Sequence, residues 1–204
     1  MSAPLKIAIV TGSHREKSQS DRVGSFVEGV LKTQNASPFI ISLSKNPLPL
    51  WDEGVWSSSD TWTQKWNPIA TQLQESDGLV VVSPEWSGMV PPGLKNFLLL
   101  CSPKEVGHKP ALIVSVSSGI GGSYPVSELR TSSYKNNRLV YIPEHVIVRN
   151  VEELLHGDKP ANEHDETTRA RLTYGSSVLL QYAQALKSVR SSAVIDYKNF
   201  PYGM

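Results

Sequence analysis

Short apolar runs alternate along the chain with segments whose apolar residues recur at helical spacing. Residues 5–10, Leu-Lys-Ile-Ala-Ile-Val, form a run of strand length rich in β-branched residues and ended by Thr-Gly-Ser, which predicts a buried strand. The period then changes: Val23, Phe26, Val27, Val30 and Leu31 lie on one face of a helix. Ser18 or Ser20 is placed to cap it, and Ser18 with Asp21 resembles a capping box with Asp in place of the usual Glu. Further strands are predicted at 39–43, 78–83, 111–116 and 139–148, with helices within 62–76, over 91–101, after Gly122 and over 164–189. In the last of these, Leu172, Leu179, Ala183 and Leu186 share a face. Five apolar strands alternating with helices predict an α/β, three-layer, doubly wound domain with a five-stranded parallel sheet, because right-handed crossovers cover both faces.

At 204 residues, with 39% hydrophobic and 19% charged, the chain is expected to be a single domain over 1–204. The irregular segment 44–61 and a tail at 191–204 are the parts without a periodic pattern. Trp51, Trp56, Trp62 and Trp66 surround that segment. It reads either as a functional or interface loop or as a cover over one edge of the core.

Twenty basic residues oppose nineteen acidic ones, for a net charge of +1, and no basic cluster stands out. Nucleic acid is therefore not an expected partner. The start Met-Ser-Ala-Pro-Leu-Lys lacks a signal-peptide apolar region, and no stretch has the roughly 18 apolar residues of a membrane span, so the expected setting is cytoplasmic. The single cysteine, Cys101, excludes an internal disulfide framework. It continues the helical series Leu94, Phe97, Leu98 and reads as a buried core thiol rather than a redox nucleophile. None of the five histidines forms a helical metal pair, and no metal site is predicted.

In doubly wound sheets, ligands bind beyond the carboxyl ends of the strands. After the first strand come Gly12, Ser13, Arg15, Ser18 and Ser20. A small residue for close approach, hydroxyl donors, a guanidinium and free helix amides suit a phosphate dianion. The plainer alternative is a serine-rich helix cap. After the third strand, Pro84-Glu85-Trp86-Ser87 leads to Pro91-Pro92-Gly93-Leu94-Lys95-Asn96, where prolines stiffen the loop and a ring can face a flat heterocycle. After the fourth, Ser117-Ser118-Gly119-Ile120-Gly121-Gly122 exposes amides that could meet acceptors on the same ring.

With these three loops the chain resembles the NAD(P)H-dependent FMN reductases of the flavodoxin-like fold, which include quinone, chromate and azo-dye reductases. The resemblance runs from residue 5 to about 190. Gly12, Ser13, Arg15 and Ser18 match Gly-Ser-x-Arg-x-x-Ser, which with Gln19 and Ser20 implies the FMN phosphate site. Pro84-Glu85-Trp86-Ser87 corresponds to Pro-Glu-Tyr-Asn, and the glycine loop approximates Ser-x-Gly-x-x-Gly-Gly. Leu48-Pro49-Leu50-Trp51-Asp52-Glu53 is similar to the family's loop after the second strand. Trp86 stands for tyrosine, Ser87 for asparagine, and the glycine loop is one residue short.

The resemblance implies FMN as cofactor, NADPH or NADH as donor, and a small acceptor such as a quinone, flavin, chromate or azo compound. Because the flavin carries the chemistry, no catalytic side chain is assigned; the amides of Gly119 to Gly122 are candidates to stabilise charge near flavin N1, and Glu85 is expected to act through its backbone or to fix its loop. A homodimer or homotetramer is also implied, with segment 51–66 and the final helix as candidate contacts. An FMN-binding electron carrier or regulatory protein without nicotinamide turnover is the alternative, although Arg15 departs from the threonine-rich phosphate loop of flavodoxins proper. A protein that keeps the fold without the flavin is a third reading.

Overall fold

The computed structural model describes residues 3–45, 47–57 and 59–203, so Asn46 and Ser58 of the irregular segment and Met204 of the tail lie outside the described residues. Five strands, β1 (Lys6–Thr11), β2 (Ser37–Ser42), β3 (Gly78–Pro84), β4 (Pro110–Val116) and β5 (Val140–Val148), form one sheet in the order β2-β1-β3-β4-β5. Every pairing is parallel. The helices are α1 (Gln19–Thr33), α2 (Asp60–Lys65), α3 (Asn67–Gln74), α4 (Pro92–Leu100), α5 (Pro103–Val106), α6 (Ser123–Ser132) and α7 (Glu163–Arg190).

Alternation along the central strands explains the three layers. Ile7, Ile9, Val80, Val82, Leu112 and Val114 face Val23, Val27 and Leu31 of α1 and Leu172, Leu179 and Ala183 of α7. Their neighbours Ala8, Val10, Leu79, Val81, Ala111 and Ile113 face the other layer, with Leu73, Leu94, Phe97 and Leu129. Residues of β3 and β4 are therefore buried throughout, as a sheet covered on both faces requires. Pro38 is accommodated because β2 is an edge strand. Cys101 is a buried member of the second core, and burial pushes its thiol well above the ordinary range.

Two features differ from the pattern read in the sequence. The single helix expected within 62–76 is two, α2 and α3, joined at Trp66. Pro68 follows, and a proline tolerated in a first turn cannot donate the bond that would continue α2. The short α5, absent from the sequence reading, is held by a capping box in which Ser102 Oγ accepts from Lys104 N–H and Glu105 Oε2 accepts from Ser102 N–H.

The irregular segment serves partly as a core cover: Leu48 is buried, Trp51 and Val55 pack against the core beside the buried Trp62 and Trp66 that follow the segment, and Trp62 Nε1 donates to Asp52 Oδ1 at 2.7 Å. Asn96 of α4 pins it further, accepting from Trp51 N–H at 2.8 Å and donating to Pro49 O at 2.7 Å. Trp56, by contrast, is 76% exposed. The tail returns to the opposite end of the sheet. There the Arg138 guanidinium donates to the carbonyls of Phe200 and Tyr202 and lies over the Tyr197 ring, which stacks on His108. Among the described residues no helix is long and apolar enough to cross a membrane.

Candidate functional site

Strand order reverses between β1 and β3, since the chain passes from β1 outward to β2 and then back across to β3. The three loops singled out in the sequence all leave the carboxyl ends of β1, β3 and β4, which are neighbours in the sheet: Thr11 pairs with Val82, and Pro84 with Val116. A crevice at such a reversal is where doubly wound folds bind ligands.

Gly12 admits the first loop to this position. Its N–H donates to Val82 O at 2.8 Å, and a Cβ there would stand 2.6 Å from Leu94 Cδ2 and 3.0 Å from Val82 O. Ser13 is buried, and its Oγ accepts from Arg15 N–H at 3.3 Å. The Arg15 side chain is exposed, and its guanidinium has no hydrogen bond or ion pair among the described residues. Ser18, not Ser20, is the N-cap of α1: its Oγ accepts from Asp21 N–H at 3.1 Å. Ser20 is buried, and its hydroxyl has no hydrogen-bond partner among the described residues. The side-chain oxygen of Gln19 is engaged, accepting from Arg22 Nε at 2.9 Å. Arg22 itself donates to the carbonyls of Val151 and Leu154, and burial lowers its pKa against the opposing pull of Asp165 and Glu152.

The capping box expected at this helix forms only by half. The Asp21 carboxylate does not return to the cap backbone; it accepts from the hydroxyls of Thr11 at 2.5 Å, Ser18 at 2.8 Å and Ser42 at 2.9 Å. The register explains the cluster, because Thr11 and Ser42 are paired across β1 and β2. Ser42 thus enters the site from the end of β2, unanticipated in the sequence.

After β3 the chain closes a tight turn. Trp86 N–H donates to Met89 O at 3.0 Å and Met89 N–H to Trp86 O at 2.9 Å, with Ser87 at φ 50° and Gly88 at φ 73°. Two left-handed central residues make this a primed turn, with Ser87 exposed at its tip. Trp86 lies edge-on to His14, ring centroids 4.5 Å apart and planes at 72°. His14 Nδ1 is buried without a hydrogen-bond partner among the described residues.

Glu85 joins this loop to the next. Its N–H donates to Val116 O at 2.9 Å, while its Oε2 accepts from Gly122 N–H at 2.8 Å and Tyr124 N–H at 3.3 Å. The carboxylate therefore caps α6, and Gly122 N–H is already engaged. Of the four positions from Gly119 to Gly122 expected to offer amides, three remain, and Gly119 N–H makes a weak contact to Ser117 Oγ at 3.3 Å. Ser118 is exposed. The carbonyl side of the loop is tied by residues that sequence reasoning missed: Asn150 N–H donates to Gly119 O at 2.9 Å, and Arg149 Nε to Ile120 O and Gly121 O at 2.7 and 3.0 Å. Both follow β5 and carry no motif that would have marked them. A separate cavity of about 650 Å³ between α4 and α6, lined by Val90, Lys95, Leu98, Leu129 and Asn137, includes none of the residues expected to contact the phosphate or the ring.

Residues 5–153 match the family model of NADPH-dependent FMN reductase. The chain belongs to that family. Among curated proteins, it is 30% identical over 128 residues to a quinone reductase of Escherichia coli, covering 60% of this chain and 65% of the relative. It is 26% identical over 127 residues to an FMN-dependent NADPH-azoreductase of Staphylococcus saprophyticus, covering 62% and 68%. The chain thus matches 65% and 68% of the length of these two relatives. The solved structure of a flavoenzyme NAD(P)H:acceptor oxidoreductase from Paracoccus denitrificans is similar with a TM-score of 0.72 at 16% identity, covering 89% of this chain and 98% of that one. That likeness shows the flavodoxin-like fold, and the strand order observed here is the one that fold uses.

Proposed function

We propose that the strand-end site holds FMN and that the protein is an oxidoreductase using NADPH or NADH to reduce a small acceptor of the quinone, flavin, chromate or azo class. The observation that carries this reading is the Gly12–Ser18 loop at the sheet's reversal, with the Arg15 guanidinium free and the Ser20 hydroxyl buried and unpartnered, in a chain of the FMN reductase family. A guanidinium fork, a hydroxyl and the projecting amides of a helix start match a phosphate monoester. Ser13, Arg15, Ser18, Gln19 and Ser20 would hold the phosphate. Pro84, Glu85, Trp86 and Ser87 on one side and Ser117, Ser118, Gly119, Gly121 and Gly122 on the other would flank the ring. When bound, FMN supplies the hydride and electron transfer between donor and acceptor.

The chain's own part is positional. Glu85 fixes the spacing of the two ring-flanking loops by bridging them. The amides between Gly119 and Gly121 are the donors left to face negative charge on the ring. Trp86, backed by His14, offers an aromatic surface at the edge of the crevice. Its indole lacks the tyrosine hydroxyl of the family motif and is bulkier, so it would restrict which acceptors reach the flavin.

We further propose a homodimer or homotetramer in a cytoplasmic setting. Trp56 is the exposed indole of its segment and the part open to a second copy, whereas Trp62 and Trp66 are spent on the core. The test is steady-state oxidation of NADPH and NADH by the FMN-loaded protein with a quinone acceptor. Turnover well above that of free FMN is expected. Stoichiometric FMN binding without turnover would replace the enzyme with a flavin-binding electron carrier. A protein that stays colourless after incubation with FMN and desalting would overturn both.

A further inference from the structure

The Asp21 carboxylate lies in the first turn of α1, bonded to the hydroxyl of Ser18, one of the residues assigned to phosphate. Its other partners are also neutral hydroxyls, those of Thr11 and Ser42. Among the described residues it forms no ion pair: Lys45 is paired with Glu16 at 3.9 Å, and Arg22 is turned to the carbonyls of Val151 and Leu154. The loop therefore carries both a carboxylate, Asp21, and a guanidinium, Arg15, that are not paired with each other among the described residues. Ser18 Oγ accepts from Asp21 N–H while donating to Asp21 Oδ2, so its single proton is committed to the carboxylate.

A phosphate oxygen that took a hydrogen bond from Ser18 Oγ would have to draw that proton away from Asp21, and it would stand only about 5 Å from the carboxylate, where like charges repel appreciably even at the dielectric of a protein surface. Hydroxyl donors and the helix start stabilise the carboxylate in place, but they do not cancel its charge as a cation would.

We propose that Asp21 is a specificity-determining residue of the phosphate cradle: an in-built negative charge that holds the Ser18 proton and limits the affinity for the phosphate of FMN. The inference rests on the reading of this loop as the FMN phosphate site. It makes the cradle weaker for a dianion than its amides, hydroxyls and arginine alone would be, and leaves the affinity for the phosphate-free flavin untouched.

The experiment compares FMN with riboflavin by flavin-fluorescence titration of the full chain, as wild type, Asp21→Asn and Asp21→Glu. The preference for FMN over riboflavin is expected to rise about tenfold in Asp21→Asn and to stay within about twofold of wild type in Asp21→Glu, which keeps the charge. A preference that is unchanged or lower in Asp21→Asn, with FMN still bound by wild type, overturns this inference alone. Wild type that binds FMN no better than riboflavin overturns the phosphate reading as well. A second measurement uses the same variants. By phosphorus NMR, the bound phosphate is expected to take its second proton at a higher pH in wild type than in Asp21→Asn, and the same midpoint in both would show that Asp21 does not act on the phosphate.

Discussion

Glu85, at the end of β3, and Gly122, at the start of α6, are joined by a 2.8 Å hydrogen bond from the Gly122 N–H to the Glu85 carboxylate. Tyr124 N–H adds a second at 3.3 Å. One side chain thus fixes the distance between two loops that leave neighbouring strands, and it satisfies N–H groups that a helix start leaves open. Glu85→Ala is expected to destabilise the protein by about 1–3 kcal/mol, the cost of leaving such donors unpaired. Glu85→Gln retains an acceptor and is expected to cost less than about 1 kcal/mol. Urea denaturation of the three proteins checks the order, and equal stability of all three would mean that water replaces the bridge at no cost.

Among the described residues the Arg15 guanidinium forms no hydrogen bond or ion pair that folding would miss. Arg15→Ala is therefore expected to leave the melting temperature near that of wild type while weakening FMN by about 1.5–3 kcal/mol, the range for hydrogen bonds to charged groups. Flavin-fluorescence titration measures the second effect. Unchanged affinity would show that the guanidinium faces away from the ligand.

Much of the architecture was legible because local pattern decides it. A continuous apolar run and a following 3.6-residue period mark β1 and α1, and the five strands pair as that alternation requires. The first loop was legible for the same reason, since its glycine, hydroxyls and arginine are contiguous. What escaped depends on contacts between distant residues. Ser42 reaches Asp21 across 21 positions, and Arg149 reaches the glycine loop across 28 and 29. Neither distance leaves a periodic signal. The tail is fastened through its own backbone carbonyls to Arg138, and a carbonyl is the same in every residue. The break between α2 and α3 falls just before Pro68, a local signal that a single helix within 62–76 leaves unused.

Gly12 tests whether the first loop's position is set by sterics. The Cβ of Gly12→Ala would meet Leu94 Cδ2 at 2.6 Å and Val82 O at 3.0 Å. A leucine methyl can turn aside, but a strand carbonyl bonded to Gly12 N–H cannot move without opening the loop from β3. Overpacking of this kind costs about 1–3 kcal/mol. The expected result is a loss of stability in that range together with weaker FMN, because the loop is displaced from the crevice. Loss of stability with FMN affinity intact would place the strain in α4 through Leu94 alone.

Asp165, near the start of α7, gives the pH dependence its sign. Its side chain is fully buried beneath the 155–161 loop, and burial by itself raises a carboxyl pKa. That effect is outweighed by donation from Ala161 N–H at 3.0 Å and Leu155 N–H at 2.9 Å and by the Arg169 guanidinium at 3.1 Å, which together hold Asp165 below the ordinary carboxylate range. A carboxyl whose pKa is lower folded than unfolded contributes stability that is fully present above the unfolded value of about 3.9. That contribution is lost as the pH falls through the folded value. Asp165→Asn should therefore lower stability at pH 7 and flatten its decline on acidification, so that the two denaturation curves converge below about pH 4. Parallel curves, separated equally at pH 7 and pH 3, would mean that the effect of Asp165 is steric and does not depend on its charge.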